Sequence, residues 1–511
     1  MRRTSLALSL TAALTVAACS SGSGTAGPST SSAPTTASPG VTATTPGKQP
    51  SASPQLGKAV LSAWKSCDGS FQCATLTVDL DPAKPSLGTV ALAMTRHKAT
   101  GDKIGSLFVN PGGPGASAVG YLQAVYEGLP KPLRQRFDLT AIDPRGVGRS
   151  IPVRCETTAQ LDSYFHIDPV PDNGTELAAL NTANRQFAAG CSARSARILP
   201  YLSTAVAARD LELARIAVGD SKLTYLGYSY GTAIGASYLD QFPTHARALV
   251  LDGALDPTLS WDQLLAGQSR GFDVALGAFL ADCEKKRCAF RNKVSGDLTK
   301  AYDALAAKVD KQPLSGFDKR TVGPGEFSYG VGEALYSTSL WPSLAEALSQ
   351  AQDGSGAALL QLNDQYLERG PDGYANLIEA NLAVNCVDRP WPTTVKPYQD
   401  LAASVGKTYP RFGPAIALSG LGCSVWPIKP QATPHKVTAP GSPPVVVLGN
   451  TRDPATPYSW AQALAGQLSK GILLTHVGDG HTVYRNSAPA CIKDPVTTYL
   501  VTLKAPQPAT C

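Results

Sequence analysis

Short apolar runs rich in Val, Ile and Leu recur along the chain and alternate with stretches that have helical periodicity. Such runs are typical of parallel strands buried on both faces, and their alternation with helices is typical of the α/β class. We therefore expect a mostly parallel sheet with helices on both faces. Six runs form the series: Ser106–Asn110, Phe137–Asp143, Leu223–Leu226, Arg247–Asp252, Pro444–Leu448 and Ile472–Val477.

A long interval between the fourth and fifth runs breaks this alternation. It is poor in the β-branched runs that further sheet strands would need. Amphipathic helical periodicity is found in it at Trp261–Glu284, Gly296–Lys308, Leu340–Gln352 and Gly356–Glu368. We predict a large, mainly helical cap over residues 254–438, inserted into a core formed by residues 56–253 and 439–511.

The N-terminal residues indicate export. Two arginines precede an apolar run that ends near Ala18 and is too short to span a membrane, which is typical of a signal peptide (residues 1–18). Val16-Ala17-Ala18-Cys19 resembles a bacterial lipobox, in which the cysteine becomes the lipidated first residue. This predicts a lipoprotein anchored through Cys19 at the outer face of the cytoplasmic membrane, or shed as a secreted protein. An ordinary secretory signal with an incidental cysteine is the alternative.

Residues 19–55 consist almost entirely of Ser, Thr, Gly, Ala and Pro, and Lys48 is their only charge. This composition cannot bury enough apolar surface to fold. We expect a disordered tether between the lipidated cysteine and the core.

Composition and charge exclude several other classes of protein. The net charge of +6 is small for 511 residues, and Lys and Arg are scattered, so no nucleic-acid-binding surface is expected. The chain has no Cys-x-x-Cys pair and no His-Glu-x-x-His sequence, and we expect neither a metal nor a cofactor. We expect a monomer whose contact with the membrane is limited to the N-terminal lipid.

The cysteines agree with export. Of the 11 cysteines, ten remain when Cys19 is set aside, and an even number suits a compartment in which disulfides persist. Spacing alone does not fix their connectivity. Proximity favours Cys67–Cys73, Cys283–Cys288 and Cys491–Cys511, and the pairs Cys155–Cys191 and Cys386–Cys423 would complete five bridges.

The sequence Gly227-Tyr228-Ser229-Tyr230-Gly231 lies between the third strand of the series and a predicted helix that starts at Tyr230. A Gly-x-Ser-x-Gly sequence in this setting is typical of the nucleophile elbow of α/β-hydrolases. The elbow exposes the serine hydroxyl at the N-terminus of a helix, where backbone N–H groups can stabilise negative charge. Ser229 is therefore the candidate nucleophile.

Chain order then supplies the partners of the serine, because the triad of this fold runs Ser, acid, His. Asp453 follows the fifth strand and His481 follows the last, so both belong to the sheet edge that carries Ser229. We predict that His481 is the general base and that Asp453 orients it. Asp479 and Asp494 are rival acids, and His476, inside the last strand, is expected to be core.

An oxyanion hole is predicted from Asn110-Pro111-Gly112-Gly113-Pro114-Gly115, which follows the first strand. Glycines there let backbone N–H groups approach a substrate carbonyl. We prefer Gly113 to Gly112 as one donor, and the N–H of Tyr230 is the other. A phosphate-binding loop is the alternative, but its Gly-x-x-x-x-Gly-Lys pattern is absent.

Five motifs in order resemble secreted tripeptidyl aminopeptidases of actinomycetes, which are relatives of proline iminopeptidase with a tripeptidyl-aminopeptidase-like C-terminal segment. The motifs are the oxyanion loop, Asp143–Ser150, the elbow, Asp453–Pro457 and Gly478–His481. The resemblance spans about residues 56 to 511, and Pro111 stands where proline iminopeptidases usually have His. It implies the α/β-hydrolase fold, structural roles for Asp143 and Arg145, and a supporting role for Thr456.

The resemblance also implies release of short peptides, often tripeptides, from free N-termini. Selection of a free amine needs carboxylates that are at least partly buried. The candidates are Glu326, Glu333, Glu346, Asp252 and Asp256. A carboxylesterase or lipase with the same triad is an alternative, and a surface lipoprotein that only binds a ligand is another.

Overall fold

The computed structural model describes residues 55–511, so the predicted signal peptide, Cys19 and nearly all of the tether lie outside the described residues. The strands, in chain order, are β1 Ala59–Leu61, β2 Lys65–Cys67, β3 Phe71–Asp79, β4 Thr89–His97, β5 Gly105–Asn110, β6 Phe137–Ile142, β7 Leu223–Tyr228, β8 Ala246–Asp252, β9 Leu314–Ser315, β10 Thr321–Val322, β11 Arg369–Gly370, β12 Gly373–Tyr374, β13 Val445–Arg452, β14 Gly471–Asp479 and β15 Ala509–Thr510.

The helices outnumber the strands and cover both faces of the sheet. They are α1 Ala118–Val125, α2 Lys131–Arg136, α3 Thr158–Phe165, α4 Gly174–Ser195, α5 Thr204–Ala217, α6 Tyr230–Gln241, α7 Trp261–Lys286, α8 Ala289–Lys293, α9 Leu298–Lys311, α10 Pro324–Leu335, α11 Trp341–Gln352, α12 Ala357–Tyr366, α13 Leu377–Asp388, α14 Lys396–Gly406, α15 Gly413–Ser419, α16 Leu421–Ser424, α17 Tyr458–Gln467 and α18 Ala490–Thr502.

One 11-stranded sheet organises the core, in the order β1-β3-β4-β6-β5-β7-β8-β13-β14-β15, with β2 beside β3. All six predicted strands are present in it, as β5, β6, β7, β8, β13 and β14, and they pair in parallel. The strands β1 to β4 form antiparallel pairs at one side and were not predicted. The expected α/β-hydrolase architecture is confirmed.

The strand order reverses between β5 and β7. The chain passes from β5 to β6 on one side and then returns to place β7 on the other. At such a switch point the loops that leave the carboxyl ends of the two strands diverge and open a crevice. The carboxyl ends meet at Asn110 and Gly227, which are paired in register. The crevice therefore lies between the predicted oxyanion loop, residues 110–115, called the glycine-rich loop below, and the elbow, residues 227–231.

Two apolar clusters account for the core, one on each face of the sheet. One includes Leu92, Tyr225, Leu251 and Val447, and the other includes Leu107, Leu226, Val250 and Leu448, all buried. Adjacent residues of one strand belong to opposite clusters because side chains alternate across a sheet. Burial on both faces explains why these strands are continuous apolar runs.

The interval between β8 and β13, which includes the predicted cap, is mainly helical. It holds α7 to α16 and two small antiparallel hairpins, β9–β10 and β11–β12. A separate apolar cluster, centred on residues such as Leu276, Phe279 and Leu348, stabilises it from within.

Helix α13 joins this helical layer to the core through polar side chains. Asn376, just before it, donates from Nδ2 to the carbonyl of Gly146 at 2.7 Å. Asp388, at its end, accepts a hydrogen bond from the N–H of Thr204 at 2.8 Å. These bonds to backbone groups hold α13 against the core. Its first residue, Leu377, lies against the glycine-rich loop, because a Cβ on Gly115 would lie 2.3 Å from the Leu377 carbonyl oxygen. Helix α13 is therefore part of the roof over the crevice.

Five disulfides are present, and they join all five of the expected cysteine pairs. Cys386–Cys423 links α13 to α16, and Cys491–Cys511 links α18 to the segment that contains β15. No described helix is long and apolar enough to cross a membrane.

Candidate active site

Ser229 occupies a sharp turn between β7 and α6. Its φ is 54° and its ψ is −127°, a conformation that residues other than glycine rarely adopt. The turn is held by its neighbours, because a Cβ on Gly227 would lie 2.5 Å from the carbonyl oxygen of Gly231, and a Cβ on Gly231 would lie 2.7 Å from that of Asn110. Both flanking glycines are therefore required by close backbone contacts, and the strained serine is presented at the start of the helix.

Asp453 and His481 come from adjacent strand ends and meet in the crevice. The Nδ1 atom of His481 lies 2.9 Å from each carboxylate oxygen of Asp453. The carboxylate also accepts hydrogen bonds from the N–H groups of Ala455 and Thr456, at 3.0 and 2.8 Å. The Asp453 side chain is fully buried, so its charge is held by these donors in a fixed orientation.

The electrostatics of His481 are set mainly by burial and by Asp453. Burial alone lowers the pKa of His481, but the negative charge of Asp453 and its hydrogen bond raise this pKa above its ordinary value, with a smaller contribution from Asp252. The histidine is thereby a stronger base than a free imidazole.

The other ring nitrogen of His481 points to a chemical role. Its Nε2 atom is buried and, within residues 55–511, has no hydrogen-bond partner. An unpaired buried polar atom costs about 1–3 kcal/mol. The ring contacts Gly253, because a Cβ on that glycine would lie 3.2 Å from Cε1 of His481. Gly253 adjoins the elbow, because the carbonyl of the preceding Asp252 accepts the N–H of Ser229 at 2.8 Å. A free Nε2 at this place suits a base that awaits a proton.

The glycine-rich loop lies directly against the elbow. A Cβ on Gly112 would lie 2.7 Å from the backbone nitrogen of Tyr230 and 2.9 Å from the Cβ of Ser229. The N–H of Gly112 donates to Oδ1 of Asn110 at 2.9 Å, so it is already used. The N–H of Gly113 and that of Tyr230, the first residue of α6, remain the candidate oxyanion donors.

Asp143 and Arg145, which were expected to have structural roles, are both buried and hydrogen-bonded within the core. Arg145 forms two hydrogen bonds of 2.7 Å with Asp210. Asp143 accepts from Ser117 Oγ at 2.8 Å and from the N–H of Val119 at 2.9 Å, which fixes the start of α1 behind the glycine-rich loop.

The acid loop, residues 449–457, also engages one of the two rival acids. Asp479 is paired with Arg452, at 2.7 Å between Nη2 and Oδ2. The other rival, Asp494, lies on α18. Thr456 Oγ1 lies 3.4 Å from Nδ1 of His481, in addition to its backbone bond to Asp453. The expectation that His476 is core was wrong. It is half-buried and polar, with Nδ1 2.8 Å from Oδ1 of Asn450, because its ring projects from β14 toward the acid loop.

The helical layer contacts the histidine directly. The carbonyl of Tyr336, just after α10, accepts the backbone N–H of His481 at 2.8 Å. The two rings are perpendicular, with centroids 5.3 Å apart. Helix α10 and the Tyr336 that follows it therefore belong, with α13, to the roof of the crevice.

Of the five acids proposed for amine binding, four are engaged elsewhere. Glu326 pairs with His166, Asp252 accepts from the N–H groups of Val483 and Tyr484, Asp256 accepts from Thr258 and Gln467, and exposed Glu346 accepts from Gln350.

Glu333 is the acid that remains. It lies on α10 one turn before Tyr336, and burial raises its pKa to about 7, with a hydrogen bond from Gln365 opposing and the charge of Glu368 adding to the rise. Glu368 itself has a raised pKa because of burial and the charge of Asp143. The residue is nonetheless exposed to solvent. Glu368 was not among the predicted residues, because no motif marks it.

Metal binding has little support in the part of the chain that the structure describes. The only three potential ligands that come close together there are Cys67, Asp68 and Cys73, and the two cysteines are joined in a disulfide. A thiol in a disulfide is not available as a thiolate ligand.

Comparison with known proteins gives a consistent result. Residues 409–511 match the family described as TAP-like protein. Serine protease Hip1 of Mycobacterium tuberculosis is 38% identical over 482 residues, which cover 89% of this chain and 91% of that protein. Carboxylesterase B of the same species is 35% identical over 420 residues, 80% of each chain. Tripeptidyl aminopeptidase of Streptomyces lividans is 32% identical over 460 residues, 86% of this chain and 84% of that protein.

Proposed function

Because the chain belongs to the TAP-like family of α/β-hydrolases and is a serine hydrolase, we propose that it is an extracytoplasmic exopeptidase. It releases short peptides, with tripeptides as the first candidate, from the free N-termini of its substrates. The observation that carries the chemistry is the buried Asp453–His481 pair, whose Nε2 atom has no hydrogen-bond partner among the described residues and whose ring contacts Gly253 next to the elbow.

The reaction proceeds by acyl transfer. Ser229 Oγ attacks the scissile carbonyl carbon while Nε2 of His481 takes its proton, and Asp453 stabilises the resulting imidazolium. The carbonyl oxygen becomes an oxyanion and accepts hydrogen bonds from the N–H groups of Gly113 and Tyr230. The imidazolium then gives its proton to the leaving amine, and the C–N bond breaks. Water, deprotonated by His481, hydrolyses the acyl-enzyme and restores the serine.

Glu333 and Glu368 support the preference for a free N-terminus. The charge of Glu368 contributes to the raised pKa of Glu333, so the two carboxylates lie near each other. Glu333 also lies one turn before Tyr336, whose carbonyl accepts the N–H of His481. Such a pair is stabilised by a cation between its members. The ammonium group of a peptide N-terminus supplies that cation, and an acetylated N-terminus does not.

The location of the enzyme is inferred from the N-terminal sequence and the cysteines. Export by the signal peptide and lipidation of Cys19 would hold the enzyme at the outer face of the membrane. The five disulfides support this, because such bonds persist in oxidising compartments. Metabolic labelling with a fatty-acid analogue tests the anchor. Labelling that persists in a Cys19→Ala variant would contradict it.

A carboxylesterase is the second candidate, since one of the relatives has that name. The same triad cleaves esters and amides, so the fold does not separate the two. Free and N-acetylated di-, tri- and tetrapeptide amides, tested beside short-chain esters, do separate them. We expect free tripeptides to be cleaved fastest. Equal cleavage of acetylated peptides, or cleavage of esters alone, would overturn the exopeptidase.

A fluorophosphonate probe tests the chemistry independently of the substrate. We expect the wild-type enzyme to be labelled at Ser229 and a Ser229→Ala variant to remain unlabelled. Labelling that survives this substitution would contradict the proposed nucleophile. An unlabelled wild-type enzyme would instead favour a protein that only binds a ligand.

A further inference from the structure

A buried amide links the acid loop to both neighbours of His481. Asn450 lies on β13, three positions before Asp453, and is only 2% exposed. Its Nδ2 donates to the carbonyl of Gly480 at 2.8 Å and to that of Thr482 at 3.2 Å. These two residues flank His481 in the sequence, so a single side chain holds the backbone on both sides of it.

The hydrogen bonds of this amide are complete. A primary amide has two N–H donors and one carbonyl acceptor. Both donors of Asn450 are used by the two carbonyls, and its Oδ1 lies 2.8 Å from Nδ1 of His476. A flipped amide would direct Oδ1 at two carbonyl oxygens and its N–H groups at His476. The two carbonyls, which only accept, therefore fix the orientation of the amide, and Nδ1 of His476 is then the donor to Oδ1.

The backbone that Asn450 holds is strained. Thr482 has a φ of 61°, a left-handed conformation that costs a β-branched residue about 1–3 kcal/mol. Such a conformation persists only where the surroundings determine it. The hydrogen bond from Asn450 to the carbonyl of Thr482 is part of that support.

The two residues that follow Asn450 contact the end of β14 through weaker interactions. Thr451 Oγ1 accepts the N–H of Gly478 at 3.1 Å, and Arg452 forms its ion pair with Asp479. The Arg452 side chain is 42% exposed, and exposed ion pairs contribute little to stability. Asn450 is the member of this trio that is buried and that brackets His481.

We propose that Asn450 is a positioning residue for the general base. Its amide sets the backbone on both sides of His481 so that Nδ1 meets Asp453 and Nε2 faces Ser229, and His476 holds the amide in that orientation. This role rests on the proposed function of His481, and Asn450 itself contacts no reacting atom.

Charged and titratable groups face both histidines of this network, His481 and His476. His481 faces Asp453, the buried Asp252 and the ring of Tyr336. His476 faces Arg485, Asp479 and Arg452, and its pKa is lowered by burial first and then by the two arginines. A neutral His476 still donates from Nδ1, so the orientation of the amide does not require a charge.

The test replaces Asn450 by leucine, which keeps the branching of the side chain and removes its donors and its acceptor. We expect kcat/KM per active site to fall about 100-fold, because a misplacement of about 1 Å costs this much, while KM stays within about threefold. Active sites are counted by fluorophosphonate titration. We also expect the acid limb of the kcat/KM profile to move to lower pH, because His481 loses alignment with the carboxylate that raises its pKa.

Asn184→Leu is the matched control. Asn184 is also a buried amide, 4% exposed, but it bonds Tyr164 and the carbonyl of Leu180 in α4. We expect this variant to lower Tm and to leave kcat and the acid limb unchanged. A loss of stability by itself therefore does not reproduce the expected result.

Two outcomes would overturn the positioning role. One is a folded Asn450→Leu enzyme whose kcat and acid limb match those of the wild type. If that variant does not fold, His476→Ala takes its place, and there we expect a smaller fall of kcat and the same direction of shift. An unchanged His476→Ala enzyme would then overturn the role. Wild-type enzyme that is not labelled at Ser229 would instead indicate failure of the proposed function.

Discussion

The replacement Glu333→Gln should remove much of the preference for a free N-terminus. Glutamine keeps the shape of the side chain and one acceptor oxygen but removes the charge. Glu333 is half-buried on α10, beside Tyr336 and Glu368, and an ammonium bound there would be largely desolvated. The variant therefore isolates the charge–charge contact with the substrate amine.

The size of the effect depends on the burial of the contact. A hydrogen bond to a charged group is worth about 1.5–3 kcal/mol when its partner is removed, which corresponds to about 10- to 150-fold. Glu368 remains and keeps part of the attraction. We expect the ratio of kcat/KM for a free tripeptide amide to that for its N-acetylated form to fall by about 10- to 30-fold.

The pH dependence of the same ratio provides a second measurement. The pKa of Glu333 is raised to about 7, so the carboxylate forms as pH rises through 7. The α-amino group of a peptide has a pKa of about 7.7–8.0 and loses its charge above that range. The preference for free amines should therefore grow from about pH 6, peak between about 7 and 8, and decline above. In Glu333→Gln the rise on the acid side should be absent.

The assay measures initial rates on paired free and acetylated substrates for wild-type enzyme, Glu333→Gln and Glu346→Gln. Glu346 is an exposed acid on the neighbouring helix α11 and serves as the matched control. A ratio in Glu333→Gln within threefold of the wild-type ratio, or an equal fall in Glu346→Gln, would refute this role of Glu333.

Three further predictions concern the acid loop, the acid and the roof. Gly271→Ala on α7 should reduce kcat/KM at least tenfold, because the new Cβ would lie 2.2 Å from an acid-loop carbonyl oxygen. Gly277→Ala on the same helix has nothing within 4 Å of its Cβ and should keep the wild-type rate. Equal rates in the two variants would contradict this prediction. Asp453→Asn should lower kcat by about 10⁴-fold with the fold intact by circular dichroism, because the histidine tautomer is no longer fixed. The double substitution Cys386→Ser with Cys423→Ser should lower the free energy of unfolding by about 3–4 kcal/mol, as expected for a bridge across 37 residues. Denaturant titrations measure this change, and an unchanged unfolding midpoint would exclude a stabilising role of the bridge.

Chain order in a parallel sheet made most of the candidate site predictable from the sequence. Carboxyl ends of parallel strands share one edge, so Ser229, Asp453 and His481 could be assigned to one crevice before their distances were known. The structure places Asp453 and His481 2.9 Å apart, with Ser229 at the neighbouring turn. Asp479, the rival acid, pairs with an arginine instead, which no local pattern indicated.

Other features of the fold and the site leave no such pattern in the sequence. The strands β3 and β4 lie at the antiparallel side of the sheet and alternate between buried and less buried positions, so they are not continuous apolar runs. Helix α4 has almost no amphipathic pattern and was not predicted. Glu368 and Asn450 depend on contacts between residues distant in the sequence, and His476 was expected to be core because it lies inside β14.

The order of the site residues along the chain has a consequence for biosynthesis. A chain synthesised from its N-terminus delivers the serine turn first, then α7 to α16, and only afterwards β13 and β14 with Asp453 and His481. An incomplete chain thus carries the serine turn without its two candidate partners. The three residues come together only when β13 and β14 add to the sheet beside β8.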